Sequence, residues 1–336
     1  MAGQSFQTNS YGKFFAVPKL SKKLRAAAQP LMRWRQFTDK DDQFGKREGD
    51  TLLFDKILNV DAGAGAGAII AEGQPIPRSA FKTVQSQVVA KPSGLAIGWT
   101  EELENFSEFD VRDPIKSRLV DYMAKALNFR AYEEFRTAPV QYLVASTVGA
   151  GSFVLNPTGN TTPTHTTTGN VTLGDLRNII DALKKGNYGA INSVAQVAAP
   201  CPTYDGANYM CIGSVDFCRA IKDDNEFEDA AKYGDPERLF SGEVGRIYGT
   251  RIVEDNHILG TLVLAASSTT GKKGQAVFFG SEPVMEVVVV PEEVRIDLPA
   301  DFNRDRAMAF YYLGGFSRVW NYNVTTEPEN RIVTLL

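Results

Sequence analysis

Apolar and polar positions along this chain of 336 residues follow two periods, and the places where the period changes divide it into segments. Between Asp50 and Thr100 the spacing is that of strands. Thr51–Leu58 reads as one strand, Thr83–Val89 alternates through Val84, Ser86 and Val88, and Leu95–Trp99 makes a third. The first two flank the small-residue run 61–68 (DAGAGAGA) and a proline-bounded turn, Gln74-Pro75-Ile76-Pro77. This predicts a long β-loop with a glycine-rich tip, where glycine lets the chain bend at little steric cost.

The period then changes to that of a helix. Ile115, Leu119, Tyr122, Met123, Ala126, Leu127 and Phe129 share one face, with Lys116, Asp121, Lys125 and Arg130 mostly elsewhere. Asp113 reads as the N-cap and Pro114 as the first helical residue, where a missing N–H costs nothing. Pro139 stops the run, leaving about 24 residues and a rod of roughly 36 Å. Thr172 opens a second helix with Asp175 three residues on, the capping-box spacing. Its buried stripe is Leu173, Leu176, Ile179, Ile180 and Leu183, and Lys184-Lys185-Gly186 closes it. Ser214 is placed to cap a shorter third helix carrying Phe217, Cys218 and Ile221.

The rest reads as strands: Ile252–Val253, Thr261–Ala265, Ala276–Phe279, Val284–Val290, Val294–Leu298 and Arg306–Leu313. The runs Val287–Val290 and Phe310–Leu313 suggest strands buried on both faces. The Thr/Gly/Pro/Asn-rich stretch Asn156–Thr172 reads as an exposed loop, and no internal repeat is visible. Strands and helices that do not alternate regularly make the fold class α+β.

Composition narrows the function classes. Hydrophobic residues at 43% and charged residues at 23% are ordinary for a folded chain and exclude a disordered one. No apolar run approaches the ~20 residues of a membrane span. The N-terminus lacks the compact apolar segment of a signal peptide, so a protein made and used without secretion is expected. Three cysteines, Cys201, Cys211 and Cys218, argue against a disulfide framework.

Charge is distributed unevenly. Of the 36 Lys and Arg residues, seven lie in Met1–Phe37: Lys13, Lys19, Lys22, Lys23, Arg25, Arg33 and Arg35. No acid accompanies them, which leaves 29 bases against 40 acids in the remainder. The same segment carries Phe6, Tyr11, Phe14, Phe15, Trp34 and Phe37. A basic, aromatic arm on an acidic body predicts a segment that reaches over another surface, a neighbouring copy or nucleic acid.

Candidate chemistry changes this picture little. The glycine run lacks G-x-G-x-x-G spacing, and Gly73, Pro75 and Pro77 forbid the helix that would hold a phosphate. His165 and His257 have no partners at metal-ligand spacing, and Cys211 and Cys218 lie seven apart without a fourth ligand. The acidic groups Glu101, Glu102 and Glu104, then Glu133 and Glu134, then Asp223 and Asp224 read as solvated faces rather than acid–base pairs. No catalytic, cofactor-binding or metal-binding residue is assigned, and no cofactor.

Four stretches, taken in order, carry a family resemblance. They are Lys46-Arg-Glu-Gly-Asp-Thr51 leading into the β-loop, Glu72-Gly-Gln-Pro-Ile76 at its turn, Ser241–Glu254 (SGEVGRIYGTRIVE), and Tyr311-Tyr-Leu-Gly-Gly-Phe316. In these the chain resembles major capsid proteins of the Hong Kong 97 fold, in the branch typified by coliphage N-four, from about Lys46 to Trp320. The Thr-rich stretch around Thr161–Thr168 looks like an insertion relative to that core.

The resemblance implies an N-terminal arm (1–49), an extended loop (50–100), a spine helix of a peripheral domain (101–139), an axial domain (140–275), and peripheral-domain strands with the C-terminus (276–336). It implies a non-enzymatic shell subunit forming hexamers and pentamers around double-stranded DNA, which it meets non-specifically. Portal, scaffold and decoration proteins would be partners, with no membrane. The protein would be made in the host bacterial cytoplasm and end in the virion capsid. Contacts between copies are expected at the seven basic arm residues and at Arg78, Lys82 and Lys91 on the loop. An encapsulin-like compartment and a carboxylate-dependent α+β enzyme are the alternatives.

Overall fold

The computed structural model describes residues 32–41, 49–58, 69–70, 72–76, 81–107, 110–145, 151–155, 171–191, 194–224, 243–257, 275–297 and 304–335. A 3-10 turn (Trp34–Phe37) leads into β1 (Asp39–Asp41). The hairpin β2 (Thr51–Ile57) and β3 (Thr83–Val89) precedes β4 (Lys91–Thr100), α1 (Glu101–Phe106) and α2 (Arg112–Arg136). Then come β5 (Val140–Leu143), β6 (Ser152–Leu155), α3 (Leu173–Lys185), β7 (Asn187–Ile191), β8 (Val194–Val197), β9 (Tyr209–Ser214) and α4 (Val215–Lys222). The chain finishes with β10 (Glu243–Ile247), β11 (Thr250–Asp255), β12 (Ala276–Phe279), β13 (Val284–Ile296), β14 (Asp305–Arg318) and β15 (Ile332–Leu335). The fold class is α+β, as the sequence indicates.

Among the described residues the larger sheet has seven strands in the order β10-β11-β9-β12-β15-β5-β6. It takes in β12 and β15 from beyond residue 275, so the sheet of the middle segment is completed by later chain. Side chains alternate across it. Cys211, Phe278, Val333, Val140 and Tyr142 pack with α3 and α4 in one core, and Met210, Ile212, Val277, Phe279 and Ile332 pack with Ala131, Tyr132 and Phe135 of α2 in a second.

The smaller sheet, β1-β13-β14-β4, receives the other half of α2. Leu119 is fully buried with Ile115, Met123 and Ala126 against Trp99, Met308 and Phe310. One helix of 25 residues, about 37 Å long, therefore lies across both sheets.

Local chemistry explains where elements start and stop. Val111, not Asp113, occupies the N-cap of α2 and makes no side-chain cap bond. Asp110 Oδ1 accepts from the Arg112 N–H at 2.9 Å instead, which leaves Asp113 in the first turn, where a negative charge suits the helix dipole. The capping box at Thr172 and Asp175 is complete, and Gly186 ends α3 at φ 63°. Ser214 caps α4 through the Phe217 N–H. The turn Tyr248-Gly249, φ 50° and 78°, joins β10 to β11 in the manner of a two-residue hairpin.

Two further expectations need correcting, and one helix was not foreseen. The two strands expected either side of Pro291 are one, β13, because the register shifts between Val288 and Val290 and again before Glu293, so the missing N–H falls where the ladder is already broken. Neither run expected to be buried on both faces is so: Val288 and Val289 are half-buried between buried Val287 and Val290, and Tyr311 and Leu313 are half-buried beside buried Phe310 and Tyr312. Helix α1 was not anticipated; it follows β4 directly, with Thr100 Oγ1 accepting from the Leu103 N–H. The expected strand Thr261–Ala265 and nearly all of the Thr-rich stretch lie outside the described residues.

Phe135 is fully buried with its ring 5.4 Å from Trp34 and 5.1 Å from Phe279. Phe135→Ala should lower unfolding free energy by about 3–5 kcal/mol in urea titration, whereas a loss below about 1 kcal/mol would mean that α2 is not seated as described.

Candidate assembly surfaces

The β2–β3 pairing register sorts the hairpin into two faces. Leu52, Phe54 and Lys56 stand opposite Val88, Ser86 and Val84, while Leu53, Asp55 and Ile57 stand opposite Gln87, Gln85 and Thr83. The first face lies on the smaller sheet. Val88 packs on Val287, with Leu52, Phe54, Met285 and Val289 around them. Leu58 packs with Val319 and Trp320.

Two features fix this seating. At Gly315 an added Cβ would lie 2.3 Å from the Val89 carbonyl oxygen, and at Gly314 it would lie 2.4 Å from that of Val287. Gly315 is thus where the hairpin backbone crosses β14, and Gly314 lets β14 lie close to the β13 backbone. Lys56 is buried, and its ammonium pairs with Glu327, donates to the Val319 carbonyl at 2.8 Å and sits 5.1 Å from the centre of the Trp320 ring. Glu327 also accepts from the Asn321 N–H at 2.9 Å. A charge sealed in an apolar contact is held only by partners of this kind.

The second face is open. Leu53 and Ile57 are exposed, Ile57 at 69%, and further along the loop Ile69 at 99%, Ile76 at 75% and Phe81 at 62% are bare. A run of isoleucines and a phenylalanine at these exposures is an unsatisfied apolar surface.

The end of the N-terminal arm is anchored in its own chain. Trp34 is fully buried, its ring 5.0 Å from Tyr132, and its indole N–H donates to Asp255 Oδ2 at 3.1 Å. Phe37 packs on Phe279 at 5.4 Å and Tyr204 at 5.7 Å. The sequence reading had these two aromatics reaching over another surface; here α2 and the larger sheet provide the cover.

Arg35 bridges two carboxylates of β13, donating to Glu286 from Nε and Nη2 (3.0 and 2.8 Å) and to Glu292 from Nη1 and Nη2 (2.7 and 3.0 Å). Glu286 is fully buried and also accepts from the Tyr312 hydroxyl at 3.1 Å. Burial works against the Arg35 charge, but the hydrogen bonds to Glu292 and Glu286 outweigh it and raise the pKa. The same contact with Arg35 holds the Glu292 carboxyl below its usual range.

Of the other basic residues singled out, Arg33 is half-buried, with no hydrogen-bond partner for its buried Nε among the described residues. Lys82 is exposed at the loop end of the hairpin, just before β3, and Lys91 is exposed at its base, just after that strand. Lys13, Lys19, Lys22, Lys23, Arg25 and Arg78 lie outside the described residues.

The acidic groups do not converge. Glu104 is tied to Trp99 Nε1 (3.2 Å), Arg306 (2.7 Å) and Arg112 (2.9 Å), which hold its pKa down. Glu133 and Glu134 are adjacent on α2 and so point apart; burial raises the Glu134 pKa, against the opposing charge of Arg318. Burial also pushes the Cys201 and Cys218 thiols up to about 12 and Cys211 well above its ordinary value, the opposite of an activated nucleophile. Among the described residues no three His, Cys, Asp or Glu side chains are grouped to hold a metal, and no helix is long and apolar enough to cross a membrane. What sequence reasoning missed are Lys56, Glu327 and Glu286, whose partners lie hundreds of residues away.

A helix laid across two sheets, a hairpin folded back on one of them and an arm pinned between define a known architecture, that of the tailed-phage capsid proteins with the Hong Kong 97 fold. The capsid subunit of cyanophage Pam1 superposes with a TM-score of 0.68 at 15% identity, covering 100% of this chain and 99% of that chain. That of Helicobacter pylori bacteriophage KHP30 gives 0.67 at 11% identity over 100% and 99%. The capsid of cyanophage P-SCSP1u gives 0.62 at 12% over 98% and 93%. No protein-family model matches the chain, and no curated protein matches it in sequence.

Lys56→Met should release the hairpin from its seat and cost about 3–5 kcal/mol, because Glu327 is left charged and buried. Adding Glu327→Leu should recover at least half of that loss in thermal denaturation. A single variant as stable as the double would contradict the pairing.

Proposed function

We propose that this chain is the major capsid protein of a tailed bacteriophage, in the branch typified by coliphage N-four. The observation that carries the reading is the whole-chain likeness to phage capsid subunits, with both chains covered almost end to end. The role is containment rather than catalysis. Copies assemble by heterologous contacts into hexamers and pentamers, and these close into an icosahedral shell around double-stranded DNA.

The division of labour follows chain order. The arm (1–49) and the loop (50–100) overlap neighbours, residues 101–139 with the strands after 276 form the peripheral domain, and 140–275 the axial domain. Strands β12 and β15 return to the sheet of the middle segment, so the 275/276 boundary divides the chain and not the volume. The exposed apolar face of the hairpin supports the overlap, since burying Leu53, Ile57, Ile69, Ile76 and Phe81 under a second copy removes them from water at roughly 25 cal/mol per Å².

Lys13, Lys19, Lys22, Lys23, Arg25 and Arg33 of the arm, and Arg78, Lys82 and Lys91 of the loop, pair with carboxylates of adjacent copies. Arg35 differs, being engaged within its own chain. An acidic body lining the shell does not grip DNA, which suits a wall past which a genome must slide. Portal, scaffold and decoration proteins complete the partners. The chain is made in the host bacterial cytoplasm and ends in the virion.

Lys82→Glu with Lys91→Glu should reduce assembled particles at least about tenfold in sedimentation velocity, with the unfolding free energy of the unassembled chain within about 0.5 kcal/mol of wild type. Unchanged assembly would remove these two residues from the interface.

A further inference from the structure

The socket that holds the arm contains a group able to lose its grip on protonation. Asn128 is buried on the inner side of α2, and its side-chain carbonyl accepts from the backbone N–H groups of Trp34 (3.0 Å) and Arg35 (3.4 Å). Both donors are main-chain amides, so the orientation of the Asn128 side chain is fixed by chemistry. Its NH2 group faces His257 Nδ1 at 3.0 Å. An amide NH2 only donates, and Nδ1 therefore carries a lone pair: His257 is neutral, with its proton on Nε2.

Protonation would place an N–H on Nδ1 against that NH2. Rotating the amide would mend this contact only by turning NH2 onto two backbone N–H groups. Rotated, the amide gives up its bonds to Trp34 and Arg35; unrotated, the two facing N–H groups repel and push the Asn128 side chain out of the position from which Oδ1 reaches them. We propose that His257 is a proton-operated latch on the N-terminal arm, closed while the imidazole is neutral and opened by its protonation.

Among the described residues, the charged groups that act on the latch include Asp255 on β11 and Lys125 on α2. Asp255 is itself committed, accepting through Oδ2 from the Trp34 indole and through Oδ1 from the backbone N–H of His257 at 3.4 Å. Burial depresses the His257 pKa below its ordinary 6.5, Asp255 opposes this, and Lys125 adds to it. The sign follows. In the socket the imidazole titrates below its ordinary 6.5. Arm binding is therefore complete above about pH 6.5 and weakens as pH falls from there towards the lower value, below which it levels off. The inference rests on the socket geometry and not on the shell reading.

Hydrogen exchange of the peptide containing residues 32–37, followed by mass spectrometry on the unassembled full-length chain from pH 8 to 5, tests it. After correction for intrinsic exchange, the opening equilibrium should rise about tenfold per pH unit below 6.5 and then flatten. His257→Gln, which offers Asn128 a neutral acceptor, should give a flat profile. A variant that opens with the wild-type pH profile would overturn the proposal. Should His257→Gln fail to fold, His165→Ala leaves one imidazole to follow by NMR. A midpoint below 6.5 that coincides with the end of the rise supports the latch, and an imidazole already charged at pH 7 overturns it. Failure here leaves the proposed function standing.

Discussion

Two hydrophobic cores share one helix. The first half of α2 gives Leu119 and its neighbours to the smaller sheet, and the last turns give Ala131, Tyr132 and Phe135 to the larger one. Neither sheet can shift against the helix without opening one of these contacts, because close-packed interiors do not slide continuously. Trp34 and Phe37 fill the remaining space beside Phe135 and Phe279, so the arm's last residues belong to the same core. Hairpin, arm and both sheets are thereby referred to one rod.

Polar ties mark the places where distant segments cross. Lys56 meets Glu327, Arg35 meets Glu286 and Glu292, and Trp34 meets Asp255 and Asn128. Each pairs the first sixth of the chain with residues far along it. Buried charge pairs add little net stability compared with apolar packing, yet leaving one member unpaired is costly. Their effect is to exclude alternative seatings. The hairpin could slide along a smooth apolar sheet, but Lys56 reaches Glu327 in one register only, and the hairpin backbone approaches closest at Gly315.

Much of this was legible in the sequence because it depended on period and caps. The strands at Thr51 and Thr83, the long helix and the Thr172–Asp175 box are local chemistry, and local chemistry is written in adjacent residues. Pro291 misled because a proline reads as a strand end, and only the bulges opposite β14 reveal how it is accommodated. The cap of α2 was misplaced by two residues because Asp110 and Asp113 both suit a helix start. The buried ion pairs were not legible at all. Nothing around Lys56 or Glu286 distinguishes it from a surface charge, since its environment is supplied by chain more than two hundred residues away. The basic arm was read correctly as basic, but its end was assigned outward when Trp34, Arg35 and Phe37 turn inward.

An apolar hairpin face on a well-seated stem is costly for an isolated subunit and useful in a shell. Cryo-electron microscopy of particles grown from the purified full-length chain tests the central claim most directly. The account predicts closed shells or five- and six-membered rings in which a second copy covers Leu53, Ile57 and Phe81 while Lys56 stays paired with Glu327 of its own chain. Monodisperse monomers at every concentration and ionic strength, or shells that leave that face in solvent, would contradict it.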